Sequence, residues 1–162
     1  MTAFVQVLLV VAILGTGLVA GVFFAFSGFV TQGIARLPGA DAARAMREIN
    51  VTAVRAPLML AIFGTALVVA VLAVFAFLGE PEGATWWSIG GAALYLLGVV
   101  GVTGGANVPR NNRLAAPAET DAPALAAAWQ AFRPGWLAWN HVRTIASTAA
   151  CLAFVLAALI GG

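Results

Sequence analysis

Polar side chains are few in this chain, and four short stretches hold most of those able to do chemistry. Asn107-Val108-Pro109-Arg110-Asn111-Asn112-Arg113 is one, and Trp136-Leu137-Ala138-Trp139-Asn140-His141-Val142-Arg143-Thr144 is another. The others are Ile49-Asn50-Val51 and Phe23-Phe24-Ala25-Phe26-Ser27. His141 is the only histidine, and its neutral ring takes a proton near pH 7. In an apolar cavity it would act as a general base; at a membrane boundary it would equally serve as a histidine bonded to a backbone carbonyl. Asn107, Asn111 and Asn112 can donate to a developing oxyanion, or cap a helix and shape the turn at Pro109. Arg113 and Arg143 can hold an anion or an enolate, or snorkel to lipid phosphate. Trp136 and Trp139 can stack on an aromatic ligand, or belong to an interfacial belt.

One histidine, the single Cys151 in an apolar run and no nearby pair of carboxylates do not make a zinc or di-iron set, so no metal is expected. A haem on His141 would lack any covalent attachment motif. No cofactor is expected.

Such residues need elements to hold them, and composition says what kind. The chain is 62% hydrophobic and 9% charged, with a mean hydropathy of +1.00; soluble domains carry roughly 25% charged residues. Lipid must therefore be the solvent for most of it. The net charge is only +2, and the arginines are spread out, so no dense basic face suits nucleic acid. Four apolar runs stand out: Ala3 to Val30, Ala56 to Leu78, Trp87 to Ala106, and Thr144 to Ile160 extended back to about Asn140. Each meets the roughly 20 residues a crossing requires. The first lacks a basic n-region and is too long for a signal peptide, so it is expected to be a retained span. The fold class is thus an all-α membrane protein, a bundle of four transmembrane helices forming one domain over 1–162.

Short surface helices are expected in the two loops that carry the arginines. Asp41 would cap the first, with Ala42, Met46, Ile49 and Ala53 on one face. Asp121 would cap the second, with Leu125, Ala128, Trp129, Phe132 and Trp136 on one face, and Pro134-Gly135 would interrupt it before the fourth span. Glycines such as Gly90, Gly98 and Gly101 predict close packing of the third span, and a homo-oligomer is expected. Arg36, Arg44, Arg47 and Arg55 fall in the first loop; Arg110, Arg113, Arg133 and Arg143 fall in or beside the third. The positive-inside rule puts loops 31–55 and 107–140 in the cytoplasm of a cell-membrane protein, with both termini outside. All four polar stretches then converge at one membrane side.

On these residues the chain resembles the anthrone oxygenase-like integral membrane family. The matching pieces are Ala20-Gly21-Val22-Phe23-Phe24-Ala25-Phe26-Ser27, Ile49-Asn50-Val51, Asn107-Val108-Pro109-Arg110-Asn111-Asn112 and Trp136 to Thr144. The resemblance implies an oxidoreductase, a cofactor-independent monooxygenase converting polyketide anthrones to anthraquinones through a base-generated carbanion and dioxygen. It implies a catalytic set of His141, Asn140, Arg143, Asn107 and Asn111. Trp136, Trp139, Phe26, Ser27, Asn50 and Asn112 would bind a hydrophobic polycyclic phenolic or quinone-type substrate. The alternatives are a non-catalytic protein that binds a lipid or quinone, or a subunit of a larger membrane complex. A transporter fits least, since no charge or broken helix is expected at mid-span.

Overall fold

The computed structural model describes residues 1–118 and 120–162, with the side chain of Ala56 left aside. Among these residues the protein is all helix, built from five elements. Four are long and apolar enough to cross a membrane: α1 (Ala3–Ile34), α3 (Pro57–Phe77), α4 (Thr85–Ala115) and α5 (Ala122–Ile160). The fifth, α2 (Gly39–Ala53), joins the first two. The spans run up and down, with α1 packed on α3 and α5, and α4 packed on α3 and α5. Thr2 N–H donates to Glu80 Oε2 at 2.9 Å, so the N-terminus meets the α3–α4 loop. The eight arginines belong to the opposite half of the fold.

Two apolar cores result. One fills the bundle with Leu9, Val19, Phe23, Ile62, Leu72, Tyr95, Val99 and Phe154. The other lies at the arginine end and joins α1, α2, α4 and the first half of α5 through Ile34, Met46, Leu114, Leu125, Trp129, Phe132 and Trp136. Arg47 ties this cap together: its guanidinium donates to the carbonyls of Leu114 (2.9 Å) and Pro117 (2.8 Å), at and just beyond the α4 C-terminus. Those carbonyls lack partners within the helix, and a cation there is favoured by the helix dipole.

Three expectations change. Pro134-Gly135 does not interrupt: α5 is one helix of 39 residues, about 58 Å long at ~1.5 Å per residue. Roughly half exceeds the ~30 Å hydrocarbon core, so one rod serves both cap and bundle. Pro134 and Gln130 are exposed, so the carbonyl that proline leaves unbonded faces outward. Leu125, Trp129, Phe132, Trp136, Asn140 and Arg143 meanwhile keep a single buried face across the proline. Asp41 lies inside the first turn of α2, whose N-cap is Pro38, and pairs with Arg44 at 2.9 Å. Asp121 does cap α5, accepting from Ala124 N–H at 2.9 Å. Finally, no turn forms at Pro109; α4 continues to Ala115.

Pro109 is tolerated because the turn before it, Thr103–Asn107, is a π turn, and wider turns of this kind relieve proline's clash with the preceding carbonyls. Further π turns lie at Phe26–Val30 in α1, Leu60–Gly64 in α3 and Leu96–Gly101 in α4. Those at Phe26–Val30, Leu60–Gly64 and Thr103–Asn107 sit in the arginine-side half of their spans, Leu96–Gly101 lies at the middle of α4, and α5 has none. Close packing fixes the rest. A Cβ on Gly98 would stand 2.5 Å from that of Ala146, and one on Gly15 would overlap Thr65. Gly90 meets nothing within 4 Å, and Gly101 meets only the Leu96 carbonyl of its own helix.

Candidate functional site

The two cores do not close on each other. Between them lies a cavity of about 180 Å³, walled by Phe23 and Phe26 of α1, Met46 and Asn50 of α2, Ile62 and Phe63 of α3, Thr103, Asn107 and Asn111 of α4, and Trp136, Asn140 and Arg143 of α5. Every element contributes, and the π turns of α1, α3 and α4 supply Phe26, Ile62, Phe63, Thr103 and Asn107. A cavity of roughly 150 Å³ takes benzene. This one therefore seats about one substituted aromatic ring. Val54, Phe63 and Val108 line it and are exposed, so its mouth opens on the apolar flank of the protein near α3 and α4.

The polar side of the cavity is a network centred on Asn140, which has no exposed surface. Its amide donates to the Phe23 carbonyl and to Ser27 Oγ, both at 2.8 Å. Its oxygen accepts from Arg143 Nη2 at 2.7 Å. Ser27 also meets Thr144 Oγ1 at 3.0 Å, so α1 and α5 are joined by side chains at two points. Asn107 donates to the Trp136 carbonyl at 3.2 Å, joining α4 to α5.

Arg143 is 6% exposed and has no carboxylate partner among the described residues. Its Nη1 donates to Thr103 at 3.3 Å. Its Cζ lies 4.2 Å from the centre of the Phe23 ring and 5.5 Å from that of Trp136. Arginine at the centre of a spanning helix costs about 2.5–3.5 kcal/mol on insertion scales, an upper bound for Arg143 at the start of the fourth span, and a desolvated cation–π contact returns about 2 kcal/mol. The charge is thus held by dipoles and ring faces, with its Nε donor unpartnered. Asn107 Oδ1, Asn111 Oδ1 and Trp136 Nε1 are also buried without partners. Four lining residues therefore keep hydrogen-bonding capacity in reserve; rotation of the Asn111 amide exchanges acceptor for donor, whereas Asn107 is held by its bond to the Trp136 carbonyl.

A family model described as anthrone oxygenase matches residues 56–153, more than half of the chain. The chain belongs to the anthrone oxygenase family. No curated protein and no solved structure matches it. The family match covers α3, α4 and the α5 residues of the cavity, including Asn107, Asn111, Asn140 and Arg143. The walls supplied by α1 and α2, with Phe23, Phe26 and Asn50, lie outside the matched range.

Of the residues singled out from sequence, Asn50, Asn107, Asn111, Asn140, Arg143, Phe26 and Trp136 line this one cavity. Ser27 is buried just behind it, bonded to Asn140. His141, Trp139 and Asn112 are exposed and line no part of it. Helical geometry explains the correction for His141. Asn140 and Arg143 are three residues apart and share a face, whereas His141 is rotated about 100° from Asn140. Trp139 falls off the face on the other side. Phe23, Thr103, Met46 and Ile62 were not foreseen. Phe23 belongs to one of the four stretches, but its role rests on an Arg143 contact that spacing does not reveal. Thr103 had a signal, being four residues before Asn107 on a helix, but the π turn between them obscures it. A second hollow, between α4 and α5, is bordered by Arg110, Arg113 and Phe132; Arg110 is held there by the Ala106 carbonyl at 2.8 Å.

Proposed function

We propose that the chain is a membrane oxygenase acting on an aromatic ketone of the anthrone type, without a cofactor of its own. The carrying observation is the uncompensated Arg143 guanidinium set among ring faces and amides in a ring-sized cavity. An anthrone has a CH₂ beside two rings and across from a ketone. Loss of one proton leaves a delocalised anion whose negative charge rests largely on the ketone oxygen. Arg143, with an amide donor from Asn111, is suited to that oxygen, and such preorganised donors strengthen in a dry site. The anion gives an electron to dioxygen, and the resulting pair joins as a C–O bond to a peroxide. The peroxide takes up a proton and loses water to give the second ketone. In sum, the CH₂ and O₂ become C=O and H₂O.

The supporting context is the family match and the apolar mouth, through which a membrane-dissolved polycycle can enter sideways. One ring and its oxygen fill the enclosed volume, and the remaining rings extend into the mouth past Phe63 and Val108.

Oxygen uptake by purified protein with anthrone tests this reading. Wild type should consume one O₂ per anthraquinone formed, and Arg143→Met should lose about 10²–10³ in rate, as for removal of an oxyanion donor. A wild type that binds anthrone and consumes no oxygen would replace the oxygenase with a binding protein for quinone-like or lipid molecules. We also place the arginine-bearing end in the cytoplasm, with both termini outside. A reporter active only in the cytoplasm, fused after Gly162, should be silent; activity there reverses the orientation.

A further inference from the structure

We infer that the cavity takes its ligand as an anion, a phenolate or enolate, and that the proton leaves to water and not to a side chain of the protein. The inference deepens the proposed function, and rests on it only for the steps after ionisation.

Among the described residues, the lining contains one ionisable side chain, Arg143. Arginine stays cationic in proteins and accepts no proton. From α1 come only apolar residues, and from α3 likewise. The carboxylates of α2 look elsewhere: Asp41 pairs with Arg44, and Glu48 is exposed. Arg47 is turned to the Leu114 and Pro117 carbonyls, and Arg110 to that of Ala106. On α4 the facing groups are Thr103, Asn107 and Asn111; on α5 they are Trp136, Asn140 and Arg143. His141 is exposed on the far side of the helix.

A neutral phenol or ketone brings no charge to balance Arg143. Its anion does, and meets a guanidinium that lines the cavity with no carboxylate partner among the described residues. The step is simple: the C–H or O–H bond breaks, its electron pair stays on the ligand, and the proton passes to water at the arginine end, where the exposed Val54 of the α2–α3 link borders the cavity. An opposite charge within about 4–6 Å lowers an acid's pKa by ~1–3 units. The site thus selects acidic aromatic compounds, and the rate should rise with pH around the ligand's own bound pKa.

The probe is 4-nitrophenol, a single ring that is yellow only as its anion. It is titrated with excess protein in a neutral detergent. Wild type should move the colour transition down by about one to three pH units relative to Arg143→Met, and Arg143→Lys should keep part of the shift. If Arg143→Met does not fold, empty micelles supply the baseline. A transition that is unmoved or raised overturns the inference. The second arm is oxygen uptake with two anthrones of different acidity. The pH midpoint of the rate should move with the substrate and be unchanged in His141→Ala; a midpoint indifferent to the substrate, or abolished by His141→Ala, also overturns it. A lowered nitrophenol transition without turnover on any anthrone sinks the oxygenase reading and leaves the anion site standing.

Discussion

Replacing Asn140 with leucine removes the node that joins α1, α5 and Arg143 while keeping the branched shape of the side chain, at some gain in volume. The wild-type amide makes two neutral bonds, to the Phe23 carbonyl and Ser27, and accepts one from the guanidinium. Side-chain hydrogen bonds between membrane helices average about 0.6 kcal/mol, neutral bonds elsewhere reach about 1.5, and bonds to charged groups are worth about 1.5–3. The loss should therefore be about 3–6 kcal/mol, about half of it from the bond to the guanidinium. Reversible unfolding in mixed detergent–SDS micelles, followed by helicity, measures it. Ser27→Ala alone loses two neutral bonds, to Asn140 and Thr144, and should cost about 1–3 kcal/mol. The double variant should cost less than the two together by about 0.5–1.5 kcal/mol, because they share a bond. Asn140→Leu within about 0.5 kcal/mol of wild type, a change typical of surface sites, would refute the claim that this network holds α1 to α5.

Three further outcomes are expected. Tyr95→Phe removes the donor at 3.1 Å to the Ile62 carbonyl in the α3 π turn, which keeps the Thr65 N–H; it should cost about 0.5–1.5 kcal/mol in the same unfolding assay, the net worth of one hydrogen bond. Gly98→Leu forces side-chain atoms into Ala146, and the overpacking should cost about 1–3 kcal/mol; an Ala146→Gly partner should recover part of it. Glu80 is held below its usual value, chiefly by accepting the Thr2 backbone N–H. Its tether is thus intact above the ordinary carboxylate range and lost as pH falls through the lowered value. Amide exchange at residues 3–6, corrected for intrinsic rate, should quicken on acidification, and Glu80→Gln should remove the pH dependence.

The spans were legible because lipid imposes length and polarity on them: four uncharged runs have few other uses. The meeting of Asn107, Asn111, Asn140 and Arg143 was legible for a related reason, since consecutive antiparallel spans place these stretches at one membrane side. What escaped was rotation about the helix axis. His141 drew attention by its chemistry, but its neighbours Asn140 and Arg143 own the inward face. The unbroken α5 escaped too, because Pro134 speaks locally for a break, and only the aromatic face from Trp129 to Trp136, buried in the cap, overrides it. The π turns leave no residue signature at all, and with them went Thr103.

Those π turns carry a consequence for residue counting. Each fits one residue more than an α turn into nearly the same rise, so it acts as a phase slip of about 100°. In α1, α3 and α4 the face that looks inward near the termini is out of step with the face that looks inward at the cavity; in α5 the two agree. A single-residue deletion within Phe26–Val30 would thus be no minor shortening. It would restore an ordinary turn and swing everything from Thr31 to Ile34 around the axis, pulling Ile34 off the cap. A deletion of the same size in the exposed tail at Gly162 rotates nothing.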